Sequence, residues 1–152
     1  MTLMVGAIAP DFKLQDETGT FHSLSEFRGS PVVLYFYPKD DTSGCTTEAC
    51  NFRDGYGEYQ RAGIVILGVS PDTVKSHSIF KQKYHLPFIL LADDEHKVCE
   101  LYQVWGQKKS MGREYDGVFR TTFVISTDGK IVKVFENVKP EGHSDEVLAA
   151  LK

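Results

Sequence analysis

The sequence predicts an α/β fold with a mixed central sheet flanked by helices, and three observations carry that expectation. Short β-branched and aromatic runs, Val32 to Tyr37, Ile64 to Val69 and Phe88 to Leu91, alternate with segments of helical character, which implies parallel strands joined by right-handed crossovers. Arg120 to Ser126 and Lys130 to Phe135 flank Asp128-Gly129, a strong hairpin signal that adds antiparallel strands to the same sheet. The chain's 152 residues suffice for one hydrophobic core that buries roughly 70% of the surface of the unfolded chain. Glycines and prolines stand singly between patterned segments, so residues 1–152 are expected to form a single domain.

Taken in order, Phe12 to Leu14 and Thr20 to His22 flank Glu17-Thr18-Gly19 as an N-terminal β-hairpin. Ser23, with Glu26 three residues on, reads as a capping box that opens a short helical turn ended by Gly29. Val32 to Tyr37 is apolar almost without a break, as in a strand covered on both faces, and Pro38 closes it. After the loop Lys39 to Gly44, Thr46 to Ala62 reads as a helix, weakened by about 1 kcal/mol at each of Gly55 and Gly57 and stopped at Gly63. Asp72 is the expected cap of a helix running to about Tyr84, and Glu95 to Tyr102 a short helix. A long polar loop follows, and Ser144 is the expected cap of the last helix. This order of elements is thioredoxin-like.

A formal charge of -4, with no cluster of lysines and arginines, argues against nucleic acid as a partner. The longest apolar run is too short to cross a bilayer, and Met1 to Phe12 lacks both the basic start and the apolar stretch of a secretory signal, so no membrane partner is expected. Three cysteines are an odd number at low density, which fits a reducing compartment, the cytoplasm.

Among these cysteines, Cys45 stands where a buried strand has ended, a turn has been made and a helix begins, in Pro38-Lys-Asp-Asp-Thr42-Ser-Gly-Cys45-Thr-Thr-Glu48. The unpaired amide hydrogens and partial positive charge of a helix amino terminus stabilise a thiolate. An inert core cysteine is the competing reading, and a glycine-preceded helix start after a core strand favours chemistry.

Pro38, Thr42 and Cys45 reproduce P-x-x-x-T-x-x-C, and in this the chain resembles the peroxiredoxins. Ala9-Pro10-Asp11-Phe12 is similar to that family's opening, and Gly117 to Phe123 is similar to its arginine-bearing strand, with Arg120 as the arginine. Glu48 and Cys50 in Cys45-Thr-Thr-Glu48-Ala-Cys50 resemble the branch named for bacterioferritin comigratory protein, also called the Q type. Ser43 departs from that branch, which more often carries proline there. The resemblance implies a thiol-dependent peroxidase that needs no cofactor or metal. Its substrate would be a hydroperoxide and its reductant thioredoxin or a glutaredoxin-like dithiol, in a monomer or weak homodimer.

The roles follow from chemistry as well. A free thiol is a few per cent ionised at neutral pH, so complete ionisation yields only about thirtyfold in thiolate. The remaining acceleration must come from groups that bind the two peroxide oxygens and stabilise charge on the departing one. Arg120 offers a planar fork of donors that can touch both thiolate and peroxide, and the Thr42 hydroxyl can accept from the peroxide while donating to thiolate or backbone. Glu48, on the same helical face as Cys45, opposes a thiolate unless a cation is shared, and the resemblance implies that it orients Arg120. Pro38 shapes the pocket and shields Cys45 from water. The resemblance also makes Cys50 the thiol that resolves the Cys45 sulfenic acid, after the helix unwinds, with Gly55 and Gly57 easing its far end.

Two other readings stand beside this one. Cys45-x4-Cys50 and His96-x2-Cys99 offer four ligands at tolerable zinc spacing, although Cys99 is more simply core filling. A thioredoxin-like module that only binds protein partners is the other; the absence of C-x-x-C argues against a conventional disulfide oxidoreductase. No histidine neighbours the motif in sequence, and His22, His77, His85, His96 and His143 read as surface or partly buried structural residues.

Overall fold

The structure, a computed structural model, describes residues 3–151 apart from the side chain of Ser110. Met1, Thr2 and Lys152, which the amino-terminal and single-domain expectations include, lie outside the described residues. The strands are β1 (Lys13–Gln15), β2 (Phe21–Ser23), β3 (Val32–Phe36), β4 (Val65–Ser70), β5 (Ile89–Ala92), β6 (Trp105–Ser110), β7 (Arg113–Val118), β8 (Thr121–Ile125) and β9 (Ile131–Phe135). The helices are α1 (Ser43–Asp54), α2 (Tyr56–Arg61), α3 (Val74–Tyr84), α4 (Lys97–Leu101) and α5 (His143–Leu151), with a 3-10 turn at Leu24–Phe27.

Among the described residues one seven-stranded sheet runs in the order β2-β1-β5-β4-β3-β8-β9. β3 pairs in parallel with β4, and β4 with β5, whereas β8 returns antiparallel beside β3 and β9 beside β8. The sheet is therefore mixed and thioredoxin-like, with β1 and β2 as the amino-terminal hairpin. β3 sits inside it and is buried along its whole length, as its unbroken apolar run requires.

Alternate residues of β3 face opposite ways and divide the core. Val32, Leu34 and Phe36 pack with Phe12, Val98, Cys99, Tyr102 and Phe123. Val33, Tyr35 and Tyr37 pack with Cys45, Ala49, Phe52, Tyr59, Phe80 and Leu148, the buried faces of α1, α2, α3 and α5. Cys45 and Cys99 thus lie on opposite faces of the sheet.

Several elements differ from the sequence-based expectation. The helix expected over 46–62 begins earlier, at Ser43, and is broken into α1 and α2 at Gly55. A Cβ on Gly55 would lie 2.8 Å from Ser144 Oγ, so the glycine is where α1 and α5 approach closely. Thr73, rather than Asp72, caps α3, accepting from Ser76 N at 3.1 Å. Asp72 instead binds Asp40 and Ser70. Ser144 is the second residue of α5, and its hydroxyl donates to the Tyr59 hydroxyl at 3.3 Å.

The expected long polar loop is the hairpin β6-β7, joined by Met111 and Gly112 at φ 52° and 78°. Two positive φ angles make the tight turn that suits a twisted hairpin. The hairpin was hidden because its outer half is polar and exposed and so has no hydrophobic alternation.

Gly68 on β4 stands opposite Tyr35 on β3, and a Cβ there would lie 2.9 Å from that fully buried ring and 3.0 Å from Leu90. Both neighbours are buried in the core. Gly68→Ala should therefore cost about 1–3 kcal/mol of stability in urea unfolding; a variant as stable as the parent would show that the Tyr35 side of the core is loosely packed.

Candidate active site

The site is built where β3 ends. Tyr37 N still donates to Val69 O at 3.0 Å, and then the chain turns through Asp41, a non-glycine residue at φ 58°. Thr42 is extended, at φ -90° and ψ 157°, and caps α1 with its carbonyl, which accepts from Thr46 N at 2.8 Å. Its hydroxyl donates to Lys39 O at 2.9 Å. The oxygen's lone pairs remain for an incoming donor. Cys45 lies inside the first turn of α1, among amide hydrogens that have no partner within the helix, and is 1% exposed.

Arg120 reaches this turn from the corner between β7 and β8. It sits just before β8 rather than within the strand that the sequence suggested. Phe119 N donates to Val104 O at 2.7 Å, Thr121 Oγ1 to Phe119 O at 2.8 Å and Val138 N to Arg120 O at 3.2 Å, which together fix the corner. From there Nη1 donates to Glu48 Oε1 at 2.6 Å and Nη2 to Cys45 Sγ at 3.2 Å. One planar group thus spans two side chains that are three residues apart on one helix face.

Glu48 is fully buried. Burial pushes its carboxyl up to about 7 against the opposing pull of Arg120. Gly44 allows the approach, since a Cβ there would lie 3.2 Å from Arg120 Nη2 and 3.5 Å from Pro140 Cγ.

Pro38 is half-buried directly after Tyr37, at the head of the loop. Cys50 is half-buried further along α1, five residues beyond Cys45. Cys99 N donates to Asp93 Oδ2 at 2.8 Å, and burial, together with the Asp93 charge, pushes its thiol strongly up. Because Cys45 and Cys99 belong to different faces of the sheet, the four-ligand zinc set does not assemble, and all three cysteines are free thiols.

Some neighbours were not singled out from sequence. Lys108, on β6, donates to Val118 O at 2.9 Å; burial and the Arg120 charge push its pKa down while Cys45 pulls it up, so it adds a second cation near the thiol. Reading its segment as a loop concealed it. His77 and His143 are both fully buried, unlike the surface or partly buried residues expected. His143 Nε2 meets the Thr122 hydroxyl at 2.8 Å, and its burial lowers its pKa. His77 bonds to Asp40, within the motif loop.

The AhpC/TSA family model matches residues 5–134. The chain is a peroxiredoxin of the AhpC/TSA family. It is 48% identical to Peroxiredoxin Bcp of Bacillus subtilis, over all of this chain and 97% of that one. It is 47% identical to Peroxiredoxin Bcp of Escherichia coli, over 99% of this chain and 96% of that one. Among solved structures, a cysteine-to-serine mutant of PrxQ from Xylella fastidiosa superposes with a TM-score of 0.93 at 32% identity, covering 99% and 96% of the two chains. A cysteine-to-serine mutant of Peroxiredoxin Q from Xanthomonas campestris does so with a TM-score of 0.90 at 41% identity, covering 98% and 95%. The Q-type resemblance is thereby supported along nearly the whole peroxiredoxin chain.

Two expectations follow from this geometry. Gly44→Ala sets a helix-propensity gain of up to about 1 kcal/mol against the crowding of Arg120, so stability should change by no more than about 1 kcal/mol in either direction. It should also displace the Arg120 fork and slow peroxide reduction about tenfold; thermal unfolding and peroxide consumption measured together test this, and an unchanged rate would mean that the fork tolerates displacement.

For Glu48, an acid whose folded pKa of about 7 lies above its unfolded value of 4.5 binds its proton more tightly in the fold. The stability linked to this group is full below the unfolded value and declines as pH rises through about 7. In a Cys45→Ser background, urea unfolding should lose up to about 3 kcal/mol across that window. Glu48→Gln should flatten the decline, and equal slopes in both proteins would contradict the assignment.

Proposed function

We propose that this peroxiredoxin reduces hydrogen peroxide and organic hydroperoxides through Cys45. The thiolate sulfur attacks the terminal oxygen of ROOH, the O–O bond breaks, Cys45 becomes a sulfenic acid, and the departing oxygen leaves as ROH after taking up a proton. The observation that carries this reading is the Arg120 fork, at 3.2 Å from Cys45 Sγ and 2.6 Å from Glu48 Oε1. Donors held in advance stabilise charge as it moves onto the leaving oxygen, without reorganisation during the step. Glu48 orients the fork, Thr42 accepts a hydrogen bond from the peroxide, and Pro38 limits water beside the thiol.

In the second half of the cycle Cys50 attacks the sulfenic sulfur, a disulfide forms and water departs. Five residues along one helix put the two Cα atoms about 8–9 Å apart, beyond the roughly 7 Å that a disulfide spans. The first turns of α1 must therefore unwind. Asn51 Oδ1 accepts from Ser144 N at 2.6 Å, Phe52 stacks on Tyr35 at 4.8 Å, and Arg53 Nη1 donates to Tyr84 O at 2.8 Å. These ties precede Gly55 and Gly57, so unwinding is confined to residues before Asn51, and the glycines take no part in it. Cys99 is screened from Cys45 by the sheet itself.

An external dithiol, thioredoxin or a glutaredoxin-like protein, then reduces the disulfide. Three cysteines, an odd number at low density, suit a reducing compartment such as the cytoplasm. Among the described residues no helix is long and apolar enough to cross a membrane.

Three variants test this reading. Cys45→Ser should abolish peroxide consumption. Arg120→Lys keeps the charge and loses the fork, so its rate should stay low even where Cys45 is fully ionised; full activity there would reduce Arg120 to a source of charge. Cys50→Ser should react once and stop at sulfenic or sulfinic acid. Peptide mapping of the oxidised parent should return a Cys45-Cys50 bond, and a Cys45-Cys99 or intermolecular Cys45-Cys45 bond would defeat the resolving role of Cys50.

A further inference from the structure

The loop that carries Pro38 and Thr42 is held through Asp40, one of the motif's variable positions, and by residues outside the motif. Asp40 is a carboxylate on a loop, yet it is only 7% exposed. Its Oδ1 accepts from the Tyr37 hydroxyl at 2.6 Å, and its Oδ2 faces the Ser76 hydroxyl at 2.8 Å and His77 Nδ1 at 2.6 Å. Its backbone N–H donates to Asp72 Oδ2 at 2.8 Å, an oxygen that also accepts from the Ser70 hydroxyl at 2.6 Å. The fully buried His77 turns its other nitrogen, Nε2, to Leu91 O at 2.9 Å.

Counting protons leads to a definite state. A carbonyl oxygen can only accept, so His77 Nε2 carries hydrogen. A neutral imidazole would then present a lone pair from Nδ1 to the Asp40 carboxylate, two acceptors at 2.6 Å. One further proton must lie between them. Whether written as imidazolium with carboxylate or as imidazole with carboxylic acid, the pair holds a shared proton and no net charge.

Donor atoms of Asp40, Asp72 and His77 lie within 4.8 Å of one another, a spacing that a cation could use. Hydrogen bonds already engage all three, so the cluster reads as a clamp. The next residue adds to it: Asp41, at φ 58°, accepts from Lys83 Nζ at 2.7 Å and the Tyr84 hydroxyl at 2.8 Å. Strained backbone of this kind persists only where its surroundings hold it. Ser76, His77, Lys83 and Tyr84 all belong to α3, so the loop is fastened to α3 independently of α1.

We propose that Asp40 and His77 are positioning residues, a proton-sharing buried pair that fastens the Pro38–Thr42 loop to α3 and sets Thr42 for the incoming peroxide. The proposal rests on the reading of Cys45 as the peroxide-reactive thiol. It separates the site's two supports: Arg120 with Glu48 holds the donors on one side, and Asp40 with His77 holds the acceptor on the other. A misplacement of about 1 Å in such a group can cost on the order of a hundredfold in rate.

The test measures peroxide consumption by prereduced protein in stopped flow, alongside Cys45 thiolate formation followed by ultraviolet absorbance. Asp40→Ala and His77→Gln should each lower the second-order rate constant about ten- to a hundredfold while the thiolate titration stays where it was. Asp40→Asn is the rescue: its amide can donate to neutral His77 Nδ1 and its oxygen can accept from Tyr37, so the rate should recover to within about threefold of the parent. Val147→Ala, a core change in α5, controls for lost stability and should leave the rate unaltered.

Parental rates in folded Asp40→Ala and His77→Gln proteins would overturn the positioning role, and a slow Asp40→Asn protein would overturn the shared proton. Should the first two variants not fold, Ser76→Ala removes one bond to Oδ2 and should slow the reaction about threefold; no change there would also overturn the proposal. A parent protein that consumed no peroxide would instead defeat the reading of Cys45 itself.

Discussion

The Arg120 fork is the contact on which the site depends, because it joins Cys45 and Glu48 of α1 to the corner before β8. Its two ends touch Cys45 and Glu48 on α1, and its backbone belongs to the corner where β7 leads into β8. Magnitudes identify the leading source of stabilisation for a thiolate here. A helix terminus contributes about 0.3–1 kcal/mol to a nearby charge, rising to about 2 in partly buried geometry. A unit cation about 4 Å away contributes on the order of 4 kcal/mol at an effective dielectric of 20. Reading Cys45 from the helix start alone thus identifies the weaker of two effects. Glu48 competes for the same cation, and its burial, which lifts its carboxyl to about 7, limits that competition.

The sheet supplies the second constraint. β3 is buried on both faces, and its period of two sends Tyr35 and Tyr37 towards α1 and Phe36 towards Tyr102 and the environment of Cys99. Chemistry and packing are thereby assigned to different sides of one strand. Cys99 is held by the Asp93 carboxylate at its backbone and is strongly disfavoured as a thiolate, while Cys45 meets a guanidinium. Two thiols of similar burial consequently have opposite electrostatic surroundings, a distinction invisible to cysteine counting.

How much was legible in the sequence depends on whether a feature is written in local pattern or in distant contact. β3, β4, β5, β8 and β9 were legible because buried strands need continuous apolar runs and hairpins need turn residues. The hairpin β6-β7 was not, since it is half in solvent and carries no alternation, and Lys108 was lost with it. Asp72 and Thr73 are both good capping residues; what decided between them was Asp40, 32 residues away, which engages Asp72. His77 was misread for the same reason. Its partners come from the motif loop and from β5, so its burial has no local signature. The motif's fixed positions point to Pro38, Thr42 and Cys45, whereas the clamp uses Asp40 and Asp41 at its variable positions and partners on α3, which no local pattern marks.

In the proposed cycle helix α1 meets two opposed demands, and its composition reconciles them. For attack on peroxide it must be wound, so that Cys45 and Glu48 present one face to Arg120; for disulfide formation it must come apart between the same cysteine and Cys50. The stretch Ser43-Gly-Cys-Thr-Thr-Glu-Ala-Cys50 is rich in residues of modest helix propensity. The apolar groups it buries are small, Cys45 and Ala49. Directly beyond it, Phe52 is fully buried, and the transfer of a single phenylalanine side chain to the core is worth about 2–3 kcal/mol. On the near side Asp40 and Asp41 are tied to α3. The weak stretch is bracketed by two strong ones, so melting it exposes little apolar surface and leaves the sheet and the motif loop in place. Oxidation itself favours that opening: once Cys45 is a sulfenic acid, Arg120 has lost one of the two charges that held it against α1, and the ion pair with Glu48 is the principal electrostatic tie left to break.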